Sequence, residues 1–172
     1  STGAHYRRCS QHDGIGALDP KLGRLSCQRI LVVCVGNICR SPLGERLLRQ
    51  YLPGHDIRAA GLMALRGHDI DRDAALVAAR YGIDTGGHCA RQLDAALCRR
   101  QDLILVMEKH QIAMLARIVP EAEGKTMLFS YWDSQQDITD PFNRSLAVHE
   151  QIAQQLITSA QGWGRALDIN DK

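Results

Sequence analysis

The chain has 172 residues, 45% apolar, 23% charged and 5% aromatic, which suits one globular domain and excludes a disordered chain. Its longest apolar run, Ile30 to Val35, falls far short of the roughly 18 residues of a membrane span, so no membrane insertion is expected. A net charge of +2, from 21 basic and 19 acidic residues, is too balanced to point to nucleic acid as a partner.

Residues 1–28 lack periodicity and are rich in Gly, Ser, His and Arg; they read as a flexible leader or tag, with one domain over 29–172. The opening stretch has no apolar core of an export signal, so a cytoplasmic location is expected. There Cys9, Cys27, Cys34, Cys39, Cys89 and Cys98 are expected as reduced thiols. Cys9 and Cys27 are expected outside the core, and Cys89 and Cys98 as packing residues.

Arg29 to Val35 reads as a fully buried strand, and Pro42 to Leu52 as a helix burying Leu43, Leu47, Leu48, Tyr51 and Leu52. Ser41 is the expected N-cap, with Pro42 at the first helical position. A short strand over Ile57–Gly61, an Ala-rich helix over Asp73–Tyr81, a strand over Leu103–Met107 and a helix over Lys109–Ile118 follow. Then come a strand over Lys125–Phe129, a polar loop over Tyr131–Asn143 and a final helix over Leu146–Leu167. This alternation predicts an α/β fold: a single three-layer domain, a four-stranded parallel sheet with helices on both faces. Ligands of such sheets sit beyond the carboxyl ends of the strands, here at a phosphate-binding loop after the first strand.

That loop runs Cys34-Val35-Gly36-Asn37-Ile38-Cys39-Arg40-Ser41. A short turn into a helix aims consecutive N–H groups inward, and the helix N-terminus adds positive potential, which together make a nest for a tetrahedral dianion. Gly36 is read as the residue that lets the backbone curl, and Arg40 as a planar fork for two phosphoryl oxygens. The same donors stabilise a Cys34 thiolate, and Ser41 can donate its hydroxyl to that sulfur. The alternative is a buried cysteine ending a core strand beside an unrelated arginine. The Gly-Lys-[Ser/Thr] ending of a nucleotide-binding loop is absent.

Displacing a phosphate ester through cysteine needs an acid for the departing oxygen. Asp140-Pro141 supplies the candidate, since Pro141 restricts Asp140 and an adjacent phosphate dianion favours its protonated form. Asp133 and Asp137 in the same loop compete, without a following proline, and Asp-Pro is also ordinary turn chemistry.

Cys34 to Pro42 together with Asp140-Pro141-Phe142 resembles the low-molecular-weight protein tyrosine phosphatases. Ala59 to Leu65, Gly87 to Leu93, Asp102 to Lys109 and Met127 to Asp133 resemble the bacterial branch associated with exopolysaccharide export. The resemblance implies that Cys34 is the nucleophile, Arg40 the transition-state clamp and Asp140 the general acid and base. It makes Asn37 the residue holding the loop's strained shape, Ser41 the aid to the thiolate and His88 a buttress. It also implies a phosphotyrosine-bearing partner, the tail of an autophosphorylated bacterial tyrosine kinase, with inorganic phosphate as product. Ile38 stands where phosphoarginine phosphatases of the family carry threonine, which favours tyrosine. Leu65 and Phe142 are implied pocket-wall residues, joined as candidates by Tyr131 and Trp132, for which packing of the loop against the last helix is an equal alternative. Cys39 is an implied redox partner of Cys34, or else a small buried side chain.

No cofactor is expected and no metal, since His88, Cys89 and Cys98 do not match zinc spacing and no Cys-x-x-Cys pair occurs. Two other readings stay open. A thioredoxin-linked arsenate reductase would use Cys89 and Cys98 as a disulfide relay. A non-catalytic phosphate-binding module would have no use for Asp140.

Overall fold

The computed structural model describes residues 27–168; the stretch read as a leader lies outside them except for Cys27 and Gln28. The elements in chain order are β1 (Arg29–Cys34), α1 (Arg40–Tyr51), β2 (Asp56–Gly61), α2 (Arg72–Arg80), α3 (Ala95–Arg99) and β3 (Leu103–Val106). They continue with α4 (Lys109–Ile118), a 3-10 turn (Pro120–Lys125), β4 (Thr126–Leu128) and α5 (Leu146–Asp168).

All strand pairs are parallel, in the order β2-β1-β3-β4. The pleat divides β1 between two cores. Ile30, Val32 and Cys34 face a core shared with Leu43, Leu47 and Leu48 of α1, Val77 and Ala78 of α2, and Ile152, Leu156 and Trp163 of α5. Leu31 and Val33 face a second core with Leu97 and Cys98 of α3 and Leu115 of α4. The three layers follow from strands apolar on both sides, because each face must be covered by a helix.

The order places β1 between β2 and β3, and the chain leaves β1 at the carboxyl edge where crossovers diverge to either side. This is the switch point at which open parallel sheets hold ligands. A buried ion-pair network closes the opposite edge: Asp102 accepts from the backbone N–H groups of Gln28 and Arg29, at 3.0 and 2.8 Å, and pairs with the Arg29 guanidinium.

Three local expectations are corrected. α1 starts at Arg40, with Cys39 in the N-cap position and no side-chain cap. Ser41 therefore lies inside the first turn and its hydroxyl serves the loop. Pro42 follows it in that turn, where helix N–H groups lack partners in any case. The five-residue α3 was not anticipated; it is too short for a periodic signal and rests on the Asp94 carboxylate accepting from Leu97 N at 2.7 Å. Cys27 belongs to the first core, only 1% exposed, because it lies two residues ahead of the β1 pairing.

Candidate active site

The loop between β1 and α1 is organised by Asn37, which is fully buried and has φ of 60°. Asparagine is one of the few residues that tolerate this left-handed geometry. Its Oδ1 accepts from Arg91 N at 2.9 Å, and its Nδ2 donates to Ser41 Oγ at 2.7 Å. Its carbonyl accepts from His88 Nε2 at 2.7 Å. A carbonyl only accepts, so His88 carries its proton on Nε2. Gly36, expected to supply the curl, has no positive φ, and a Cβ there would meet Ile38 at an ordinary 3.6 Å. The strained step falls one residue later, on Asn37.

Cys34 ends β1 and is 2% exposed. Ser41 Oγ lies 3.0 Å from its Sγ, and Ser41 N donates to the same sulfur at 3.4 Å. The Ser41 oxygen already accepts from Asn37, which leaves its hydroxyl proton to point at sulfur. Asn37, Ser41 and Cys34 thus form one directed chain of hydrogen bonds.

Arg40 is buried, with Nη1 donating to Ile138 O at 2.8 Å and lying 3.4 Å from Glu108 Oε1. Its Nε is buried with no hydrogen-bond partner among the described residues, an orphan donor beside the loop's cavity. Buried donors are normally paired, and an anion seated in the loop would supply the missing acceptor.

Asp140 stands across the opening. Its Oδ2 is 3.8 Å from Arg40 Nη2, and its Oδ1 accepts from Phe142 N at 3.1 Å. The carboxylate is half exposed, with a side-chain exposure of 49%. The competing acids are engaged elsewhere: Asp133 accepts from Ser159 Oγ and Asp137 from Lys109 N. A cavity of about 180 Å³ joins Cys34, Val35, Gly36, Ile38, Cys39 and Arg40 to Asp140, Leu65, Phe142 and Met63. Tyr131 and Trp132 do not line it; both rings pack on Trp163 of α5, with centroids 6.2 and 5.7 Å away.

Cys39 is buried, and burial, reinforced by Asp71 and by the neighbouring Cys34, pushes its thiol far above the usual range. Cys98 is fully buried, and burial raises its thiol to about 11. Cys89, expected to pack, is instead exposed, since it lies in the irregular turn after Gly87. Cys9 lies outside the described residues.

Four contributors were missed by the reading of the sequence. Glu108 and Ile138 hold the guanidinium, Met63 joins the rim, and Gly61 makes room for the loop: a Cβ there would lie 2.5 Å from Val35 O and 3.1 Å from Asn37 Cβ. Of these, Glu108 had a trace, as the first polar residue after a strand of the sheet that carries the site.

The chain belongs to the low molecular weight phosphotyrosine protein phosphatase family, whose model matches residues 29–172. Its similarity to the low molecular weight protein-tyrosine-phosphatase Wzb of Salmonella typhimurium is 49% identity over 140 residues, 81% of this chain and 94% of that protein. Among solved structures, the tyrosine phosphatase AmsI of Erwinia amylovora superposes with a TM-score of 0.80 at 49% identity, covering 82% of this chain and 93% of that one. Wzb of Vibrio vulnificus, solved in complex with benzylphosphonate, gives a TM-score of 0.80 at 44% identity, covering 81% of this chain and 99% of that one. No helix among the described residues is long and apolar enough to cross a membrane.

Proposed function

We propose that this tyrosine phosphatase works through a phosphocysteine intermediate. Cys34 Sγ attacks phosphorus, and the Arg40 fork holds two of the non-bridging oxygens as charge builds on them. Asp140 gives its proton to the departing phenolate oxygen. The carboxylate then takes a proton from water, which attacks the thiophosphate, releases inorganic phosphate and restores the thiolate. The observation that carries this reading is one cavity holding Cys34 at its floor, the unpartnered Arg40 Nε beside it and Asp140 at its mouth. Asn37, Ser41 and His88 keep the loop in shape, and no metal or cofactor takes part.

Leu65, Phe142 and Met63, exposed by 40%, 41% and 69%, give the rim an apolar wall suited to an aromatic ring. A flat ring carries phosphate down to a recessed sulfur, which the short arm of phosphoserine does not reach. Benzylphosphonate, bound by the Vibrio vulnificus protein, has that same outline. The natural partner in this reading is the phosphotyrosine-bearing tail of an autophosphorylated bacterial tyrosine kinase, in the cytoplasm, within exopolysaccharide production or export.

Turnover on matched phosphotyrosine, phosphoserine and phosphoarginine peptides tests the reading. Phosphotyrosine is expected to be hydrolysed far faster, with no thiol consumed; equal rates on phosphoserine or phosphoarginine would defeat the assignment. Cys34→Ser should abolish turnover. Asp140→Ala should lower kcat by roughly 10²–10⁴-fold with phosphate affinity close to the parent's, whereas a binding-only module would be indifferent to it.

A further inference from the structure

Where α2 begins, carboxylates from that helix's start meet an imidazole from α5. Asp71 is the N-cap of α2 and Asp73 lies in its first turn; His149 sits in the first turn of α5. One ligand atom from each lies within 4.8 Å of the others. Helix capping accounts for Asp71, whose Oδ2 accepts from Ala74 N at 3.1 Å. The helix dipole accounts for an acidic first turn.

Neither accounts for His149. It is 3% exposed, and its Nε2 is buried without a hydrogen-bond partner while pointing at Asp71 Oδ2 from 3.9 Å. That distance is too long for a hydrogen bond. An orphaned buried imidazole nitrogen facing two carboxylates is a donor set in want of a cation.

We propose that Asp71, Asp73 and His149 bind a first-row divalent cation of the zinc class. One imidazole nitrogen with two carboxylate oxygens favours zinc or its neighbours over magnesium and calcium, which prefer oxygen alone. Tetrahedral zinc holds its protein ligands about 3.4 Å apart, so side-chain rotations of the half-exposed Asp73 and of Asp71 suffice to close the set, with water completing it. The site escapes spacing rules because its ligands come from two helices distant in the chain.

The placement gives the cation a mechanical role. Asp71 N donates to Ile38 O at 2.8 Å, so the start of α2 supports the phosphate-binding loop from behind. A cation joining Asp71 and Asp73 to α5 would fix that support without entering the cavity.

Titration of the full chain carrying Cys34→Ser, which removes the catalytic thiolate as a competing ligand, tests this with Co²⁺ as the optical probe and Zn²⁺ in calorimetry. The expected result is one Co²⁺ bound, with visible d–d bands and no near-ultraviolet thiolate-to-cobalt band, and a Zn²⁺-dependent rise in Tm. Adding His149→Gln or Asp73→Ala should weaken binding at least tenfold and remove the rise, with far-ultraviolet circular dichroism unchanged. Asp73, half exposed, keeps the test decisive if the His149 variant fails to fold. Absence of binding, a persistent thiolate band or undiminished affinity in the Asp73 variant would each overturn the proposal.

Discussion

Asn37 carries much of the site's organisation without lining its cavity. One side chain accepts the left-handed turn, orients the Ser41 hydroxyl and ties the loop to the Arg91 backbone. Asn37→Ala should cost about 2–3 kcal/mol in urea unfolding, from two lost buried hydrogen bonds and the backbone geometry, together with a large fall in kcat. Asn37→Gly should regain about 1 kcal/mol of that stability, since glycine adopts the same φ freely, but not the activity. Equal stabilities of the two variants would show that the backbone step carries no strain. Cys39 makes a second prediction at this scale. If Cys39 is the redox partner of Cys34, peroxide turns Cys34 into a sulfenic acid and the Cys39 thiolate displaces its hydroxide to close a disulfide. Burial and Asp71 keep the Cys39 thiol protonated well above neutrality, so closure should be slow and should accelerate about tenfold per pH unit from pH 7 to 9. A pH-independent rate, read by mass spectrometry after quenching, would exclude Cys39 as the resolving thiol.

The elements reached the page from the sequence wherever apolar runs or faces were long. β1, α1, β3, α4 and α5 fall within a few residues of where periodicity puts them, because a strand buried on both faces and an amphipathic helix leave unmistakable patterns. The ends were less legible. Ser41-Pro42 looks like a helix start by composition, yet the helix begins two residues earlier because Ser41 is drawn to the sulfur. Contacts made across the fold left no local trace: Ile138 on Arg40, and Gly61 against the Val35 carbonyl. Gly61→Ala tests the last of these. Its Cβ would press on a backbone oxygen of the phosphate-binding loop, which cannot rotate away, so the variant should lose about 1–3 kcal/mol of stability and most of its turnover. A variant with the parent's kcat and unfolding midpoint would show that the loop has slack at Val35.

For the molecule as a whole, burial sorts the thiols. Cys98 closes the second core between α3, β1 and β3, and burial raises it to about 11, whereas an unfolded cysteine ionises near 8.5. The unfolded state therefore loses this proton first. The stability it confers is complete below about pH 8.5 and declines as pH rises towards 11. The stability gap between the parent and Cys98→Ala, measured in urea, should narrow by about 2 kcal/mol from pH 8 to pH 10. A constant gap would mean that Cys98 is already accessible to hydroxide in the native state. Exposed Cys89 should alkylate without unfolding, whereas Cys98 should react only on opening of the core.

One residue joins the cavity to the segment that carries Asp140. Ile138 donates its N–H to Met107 O at 2.9 Å and accepts from Arg40 through its carbonyl, with its side chain buried. Its amide proton is therefore sheltered from solvent only while that segment lies on the sheet. Hydrogen–deuterium exchange at this single amide reports how far the Asp140 segment opens at equilibrium; if Arg40 holds the bound anion, a saturating oxyanion should slow it. The opening of the segment that carries Asp140 can thus be followed in the resting protein, with no substrate turned over.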